Sequence, residues 1–172
     1  MKITVNRAPV LTLWAAVVAE RLGFDRDEAL TLGRAVAGLN AYAKGVRLGI
    51  FQPTPKDVQE QRRKARHGEE LHVDLMHRAV PVVMTPDGIR AVSKDRPIKP
   101  DSVERYLVKA FGEALDEARG AMVKLARSLP ADKLAAQAYR LYEDFRPAVP
   151  GGAAGWGARG ELDLRRIASP TD

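Results

Sequence analysis

The residues best suited to chemistry in this chain are cations that could neutralise phosphates. Five of them lie between positions 56 and 66, namely Lys56, Arg62, Arg63, Lys64 and Arg66. Guanidinium and ammonium groups are the usual partners of a nucleic-acid backbone, so this cluster predicts phosphate contacts. Arg90 and Lys94, in and after a predicted hairpin, would add two further contacts. The sequence therefore favours a nucleic-acid-binding or regulatory protein of unknown specificity.

The distribution of charge supports a polyanionic partner and leaves one alternative open. Residues 44–109 contain fourteen Lys and Arg against nine Asp and Glu, and so carry +5 of the net +6. Asp57 and Glu60 are interleaved with the basic cluster, however. Ion pairs at i,i+3 and i,i+4 on a solvated helix are therefore the alternative interpretation.

A second candidate site involves three residues of the first two predicted helices. Thr31 and Asn40 lie in an otherwise apolar helix, and Trp14 lies in the helix before it. A buried amide or hydroxyl needs partners, so Trp14, Thr31 and Asn40 predict a pocket for a small ligand between the helices. A non-catalytic ligand-binding or protein-interaction module is thus the alternative function. Satisfied core residues are the competing interpretation of the same pattern.

Catalysis, metal binding and nucleotide cofactors have no support in the sequence. Cysteine is absent, and there is no nucleophile elbow, paired-carboxylate pattern or phosphate loop. The spacing of His67, His72 and His77 does not make their side chains converge on a metal ion. The run Gly155–Gly160 matches the string of a dinucleotide-binding loop, but no strand precedes it and only twelve residues follow. A non-enzyme without cofactors is therefore favoured.

The elements that would position these residues begin with a pair of helices. A first helix is predicted from Pro9 to Leu22, with Gly23 as its stop. A second begins at Asp25 and runs to about Lys44; its start has a capping box in which Asp25 and Glu28 exchange hydrogen bonds. This second helix has apolar residues on more than one face, so we expect it to be largely buried.

The junction of the two helices has the spacing of a helix-turn-helix. Ala19 would lie at the close contact and Gly23 at the turn. The residues expected on the shared apolar face are Val18, Leu22, Ala29 and Leu32. Asp25, Asp27 and Glu28 would repel phosphates at the start of the second helix. A third helix, predicted over 54–66, is therefore the expected contact element.

Alternation and turn residues then indicate a small sheet. Residues 71–75 alternate as a half-buried strand, and Val80–Thr85, a turn at Pro86-Asp87-Gly88 and Ile89–Val92 read as a hairpin. Residues 93–100 form a basic loop that contains prolines. With the helix pair, this order resembles a winged helix-turn-helix over 1–100.

Two long helices are predicted next, over 101–128 and 130–145. The first has an apolar stripe consisting of Leu107, Phe111, Ala114, Ala118, Met122 and Leu125. At roughly 40 Å it exceeds what a domain of this size needs, so we expect it to form a homodimer interface. Gly112 and Gly120 would permit close helix crossing there.

The sequence as a whole predicts a mainly α fold with a small antiparallel hairpin or sheet. The 172 residues, 45% of them hydrophobic, are enough for a core. The predicted parts are a winged-helix-like unit over 1–100, a helical hairpin over 101–146 and a Gly- and Pro-rich tail over 147–172. No apolar run has the length of a signal peptide or membrane span, so we expect a cytoplasmic protein without membrane partners.

Three segments also resemble those of a group of bacterial proteins to which no activity is assigned. They are Asn6–Gly23, Gly38–Gly45 and Gly155-Trp156-Gly157. The resemblance covers most of the chain. It implies a soluble bacterial protein and points to no particular site.

Overall fold

A computed structural model describes residues 2–47, 71–93, 95–147 and 159–168. The strands are β1 (Lys2–Asn6), β2 (Leu71–Leu75), β3 (Arg78–Thr85), β4 (Gly88–Ser93), β5 (Arg96–Pro97) and β6 (Arg159–Asp163). The helices are α1 (Arg7–Arg21), α2 (Arg26–Arg47), α3 (Pro100–Phe111), α4 (Leu115–Arg127), α5 (Ala131–Phe145) and α6 (Leu164–Ala168). The expected mainly α fold with a small antiparallel sheet is confirmed. The predicted helix over 54–66 lies outside the described residues.

The turn between α1 and α2 follows the predicted chemistry. Gly23 has φ of 115°, a conformation that favours glycine. The Glu28 amide donates to Asp25 Oδ1 at 2.8 Å, and the Asp25 amide donates to Glu28 Oε1 at 3.1 Å. The capping box is therefore confirmed.

α1 is the centre of the fold and packs along the length of α2. Every residue from Pro9 to Ala19 is buried. A Cβ placed on Gly33 of α2 would overlap the Thr12 carbonyl oxygen and come within 2.9 Å of the Ala16 amide nitrogen. The two backbones are therefore in direct contact.

This contact defines the angle between the two helices. Thr12 and Gly33 each lie roughly 15 Å from Gly23 along their own helices. Helices that diverged at 90–120°, as in DNA-reading helix-turn-helix units, would be more than roughly 20 Å apart at these positions. α1 and α2 instead form an antiparallel hairpin. This differs from the 90–120° crossing of the helix-turn-helix units whose spacing the sequence resembles.

The second layer is a four-stranded antiparallel sheet in the order β2-β3-β4-β5. The predicted hairpin is confirmed, with Thr85 paired to Gly88 across its turn. On the edge of β4 away from β3, the Ile89 amide donates to Glu28 Oε2 at 2.8 Å and the Ala91 amide donates to Thr31 Oγ1 at 3.1 Å. Side chains of α2 thus satisfy part of a strand edge that short β5 leaves open.

The helix predicted over 101–128 is interrupted in its middle. Gly112 has φ of 57° and ends α3, and a 3₁₀ turn over 112–114 leads into α4. Glu104 joins the two pieces through a bidentate pair with Arg119 at 2.9 and 3.1 Å. A Cβ on Gly120 would have nothing within 4 Å, so no helix of the described chain crosses closely there.

The apolar stripe of α3 and α4 is covered within one chain. All six of its residues are at most 6% exposed, and α4 packs against α1 and α6. The sequence predicts a homodimer because a continuous helix over 101–128 is too long for its own domain to cover its apolar stripe. In the described structure that helix is broken and its apolar stripe is covered. Self-association remains a prediction.

The C-terminal segment contributes to the core. β6 pairs antiparallel with β1, from Lys2 opposite Asp163 to Asn6 opposite Arg159. Leu162 of β6 and Ile167 of α6 are fully buried. Residues 159–168 are therefore an integral part of the fold, within the segment expected to be a tail.

Candidate functional site

The main candidate site is an open cleft of about 840 Å³ between α2, the sheet and the start of α3. Its walls are largely apolar and are formed by Ala35, Leu39, Pro81, Val92, Pro97, Ile98 and Val103. Three cations, Arg34, Arg96 and Lys99, and two hydroxyls, Ser93 and Ser102, also line it. Apolar walls with a few polar groups are typical of small-molecule sites.

The cations of the cleft come from opposite sides. Arg34 extends from α2, and its guanidinium carbon lies 4.7 Å from the ring centroid of Tyr106 on α3. Arg96 follows a tight turn after β4 in which Asp95 has φ of 65°. Lys99 is the N-cap residue of α3. The packing of α2 and α3 on the sheet therefore brings together charges that are about 60 residues apart in sequence.

The electrostatics of the cleft favour an anion. Among the described residues no carboxylate lines it, and neither Arg34, Arg96 nor Lys99 forms an ion pair there. The positive end of the α3 dipole lies on the same side as Lys99. A cleft with charges of one sign and apolar walls concentrates ligands of the opposite sign.

The structure assigns the three predicted ligand-binding residues to the interior. Trp14 is fully buried, and its Nε1 donates to the Ala138 carbonyl oxygen at 2.8 Å. Thr31 is fully buried and accepts the Ala91 amide. The side-chain oxygen of Asn40, a residue that is 7% exposed, accepts from Arg78 at 3.2 Å and from the Tyr139 hydroxyl at 3.1 Å. None of the three lines the cleft.

The predicted phosphate-binding residues are only partly described. Lys56, Arg62, Arg63, Lys64, Arg66 and Lys94 lie outside the described residues. Arg90 is buried at 8% exposure, donates to the Ile89 carbonyl oxygen at 2.9 Å and lies 3.9 Å from Asp27. Its guanidinium therefore serves the fold rather than presenting a free charge to solvent.

The remaining sequence candidates add no second centre. In the described ranges, no three His, Asp or Glu side chains are grouped so that they could hold a metal ion. His67 and Trp156 lie outside those ranges.

Sequence reasoning missed Arg34, Arg96 and Lys99 as members of one site. The available signal was the basic, proline-bearing loop over 93–100. The partner charge, Arg34, lies in the long second helix, and nothing in the local pattern connects it with that loop.

Comparison with protein-family models, with curated proteins and with solved structures found no match to this chain. In the part of the chain that the structure describes, no helix is both long and apolar enough to cross a membrane.

Proposed function

We propose that this protein is a non-catalytic binding module whose cleft takes an anionic ligand with an apolar body. The observation that carries the proposal is the convergence of Arg34, Arg96 and Lys99, without acidic partners among the described residues, on an apolar-walled cleft. Three cations in such a place are well suited to a carboxylate, sulfonate or phosphate.

The size and lining of the cleft define the ligand class further. A volume of about 840 Å³ is within the range of sites for drug-sized ligands. Leu39, Val92, Ile98 and Val103 would remove apolar surface of the ligand from water, which stabilises the complex by roughly 25 cal/mol per Å² before ordering costs. The cations orient the ligand and favour an anion, and the walls add affinity by burying its apolar surface.

A binding role suits the lining better than a catalytic one. Ser102 donates its hydroxyl proton to the Lys99 carbonyl oxygen at 2.7 Å. The described lining contains no histidine or carboxylate that could act as a general base for Ser93 or Ser102. We therefore assign the hydroxyl groups of Ser93 and Ser102 a hydrogen-bonding role in the cleft.

The proposal is tested with a pair of fluorescent probes of the same apolar type. Anilinonaphthalenesulfonate carries a sulfonate, and N-phenyl-1-naphthylamine has a similar ring system without it. We expect the anionic probe to bind about ten-fold or more tightly than the neutral one, because only the sulfonate contacts the cations. Replacing Arg96 and Lys99 together by Gln should remove most of that difference.

A matched variant separates the cleft from bulk charge. Lys124→Gln with Lys133→Gln also removes two positive charges, from exposed helix positions outside the cleft. This variant should keep the preference for the sulfonate. Equal weakening in the two double variants, or no preference in the unmodified protein, would contradict the proposal.

Nucleic-acid binding is a second candidate, favoured by the basic run over 56–66 together with the three cleft cations. Because α1 and α2 are antiparallel, we expect surface cations, and not α2 inserted into a groove, to contact the phosphates of the nucleic acid. A band-shift titration of duplex DNA at two salt concentrations tests it. Salt-dependent binding supports this function, and its absence at low salt excludes it.

A further inference from the structure

A second cavity, of about 420 Å³, lies between β1, the start of α1 and α3. Thr4, Val5 and Asn6, three consecutive residues of β1, line it. Side chains alternate along a strand, so three consecutive lining residues mean that β1 presents its backbone edge to the cavity. β6 occupies the other edge of β1, and no further strand pairs with β1 in the described chain.

The cavity and the cleft lie along one face of α3. Ser102 and Val103 line the cleft, and Tyr106, Lys109 and Ala110 line the cavity. Relative to Ser102 these five residues occupy positions i, i+1, i+4, i+7 and i+8, which lie on one face of a helix. The guanidinium carbon of Arg34 of the cleft lining lies 4.7 Å from the ring centroid of Tyr106 of the cavity lining, so the two linings are in contact at this point.

Asn6, beside the second cavity, has a buried hydrogen-bond acceptor without a partner among the described residues. Asn6 Oδ1 is buried and has no partner among the described residues. Asn6 is the N-cap residue of α1, but Pro9 at the N3 position has no amide hydrogen to donate to it. Because this oxygen is closed to solvent, it leaves the N-terminus of α1 without a side-chain cap and is not offered to a ligand in the cavity.

We infer that the cleft and the cavity form a single groove for an acidic peptide segment in extended conformation. This inference rests on the proposed function, since the cleft supplies three of the four cations. Lys109 is the fourth, and among the described residues neither space has an acidic residue in its lining. Acidic side chains of the peptide face the cations, its apolar side chains enter the cleft, and its N–H groups reach the edge of β1.

A peptide fits this groove better than a strand of nucleic acid. Base recognition in single strands depends on free aromatic faces. The only aromatic residue in the described lining, Tyr106, is already stacked with Arg34. An exposed strand edge, in contrast, is a partner for peptide backbone.

The test uses a fluorescein-labelled pool of decapeptides in which Glu alternates with random apolar residues. A matched pool has Gln in place of Glu, and a labelled six-residue oligothymidylate, with five phosphodiester groups, matches the charge of the five Glu side chains. Fluorescence anisotropy should show the acidic pool binding at least ten-fold more tightly than the Gln pool. Lys109→Gln should weaken the acidic pool about three- to ten-fold and leave the affinity for anilinonaphthalenesulfonate unchanged.

Lys124→Gln, also at an exposed helix position, is the matched control and should leave peptide affinity unchanged. If Lys109→Gln behaves like this control while the sulfonate probe still binds the cleft, the extended groove is wrong and the proposed function stands. If neither the probe nor the peptides bind, both are wrong. Tighter binding of oligothymidylate than of the acidic pool overturns the peptide assignment.

Discussion

Thr31, Trp14 and Asn40, polar residues in the first two helices, form hydrogen bonds to neighbouring elements of the fold. Thr31 illustrates this, because its hydroxyl donates to the Glu28 carbonyl oxygen and accepts the Ala91 amide. Trp14 and Asn40 likewise contact successive residues of α5, Ala138 and Tyr139. A polar residue in an apolar helix is thus used here to join layers of the fold.

Thr31→Val should destabilise the protein by about 1–3 kcal/mol, because the shape is kept and the buried Ala91 amide loses its acceptor. Thr12→Val is the matched control. Thr12 is equally buried, but its hydroxyl only donates to the Ala8 carbonyl oxygen within its own helix. The free energy of unfolding in urea should change by less than about 0.5 kcal/mol in this control. Equal losses in both variants would show that the bond to β4 contributes nothing.

Alkaline pH should destabilise the protein through its buried tyrosines. Burial raises the pKa of Tyr142 well above its ordinary value of 10.0, and burial also raises the pKa of Tyr106 against the opposing charge of Arg34. Above pH 10 the unfolded chain therefore loses protons that the folded chain retains. For Tyr142 the free energy of unfolding falls by up to about 1.4 kcal/mol per pH unit as the pH rises above 10, and this stability is fully present below pH 10.

Tyr142→Phe isolates this contribution. The Tyr142 hydroxyl lies 3.5 Å from the Arg7 carbonyl oxygen, a long contact, so stability at neutral pH should change little. Urea titrations between pH 9 and 11 should show a shallower decline in the variant than in the unmodified protein. The same slope in both proteins would be inconsistent with a protonated, buried Tyr142.

At the scale of elements, the fold is built on the backbone contact between α1 and α2. Gly33 permits that contact, since a Cβ there would overlap the Thr12 carbonyl oxygen. Thr12 and Ala16 are the residues of α1 that meet Gly33, and the two helices make extensive contact with each other. The helix pair is thus a rigid base on which the sheet and α3 form the cleft.

Gly33→Ala should lower the free energy of unfolding by about 1–3 kcal/mol, because the added methyl group meets backbone that cannot move aside. Gly120→Ala makes the same change in α4, where a Cβ meets open space. It should instead stabilise the protein by about 0.5–1 kcal/mol, since alanine favours helix. Thermal or urea unfolding measures both, and a stabilising Gly33→Ala would contradict the close crossing.

The elements that could be predicted are those encoded by neighbouring residues. The Asp25–Glu28 capping box, the glycine turn at Gly23 and the hairpin turn at 86–88 each depend on residues at most four positions apart. The break at Gly112 was missed because one glycine within a helical pattern is compatible with a continuous helix. The pairing of β1 with β6 joins segments more than 150 residues apart, and no local pattern specifies it.

At the scale of the whole molecule, the candidate site exists only because distant segments meet. Arg34 comes from α2, Arg96 follows the hairpin and Lys99 begins α3. The sequence indicated a basic protein and predicted that cations of residues 56–66, Arg90 and Lys94 supply the functional charges. Of the predicted cations, Arg90 is buried, and the three cations of the cleft were not among them. Which cations remain free depends on the tertiary packing of the sheet against α2, and a one-dimensional pattern does not contain that information.

The most direct test of the cleft is a map of ligand-induced amide shifts in a ¹H–¹⁵N nuclear magnetic resonance titration with anilinonaphthalenesulfonate. We expect the largest shifts in three separated segments, 34–39, 80–82 and 92–103, because residues of these segments line the cleft. Amides of α5, on helix positions outside it, should shift least. Saturable shifts centred on α5 or on any surface away from these three segments would contradict the account.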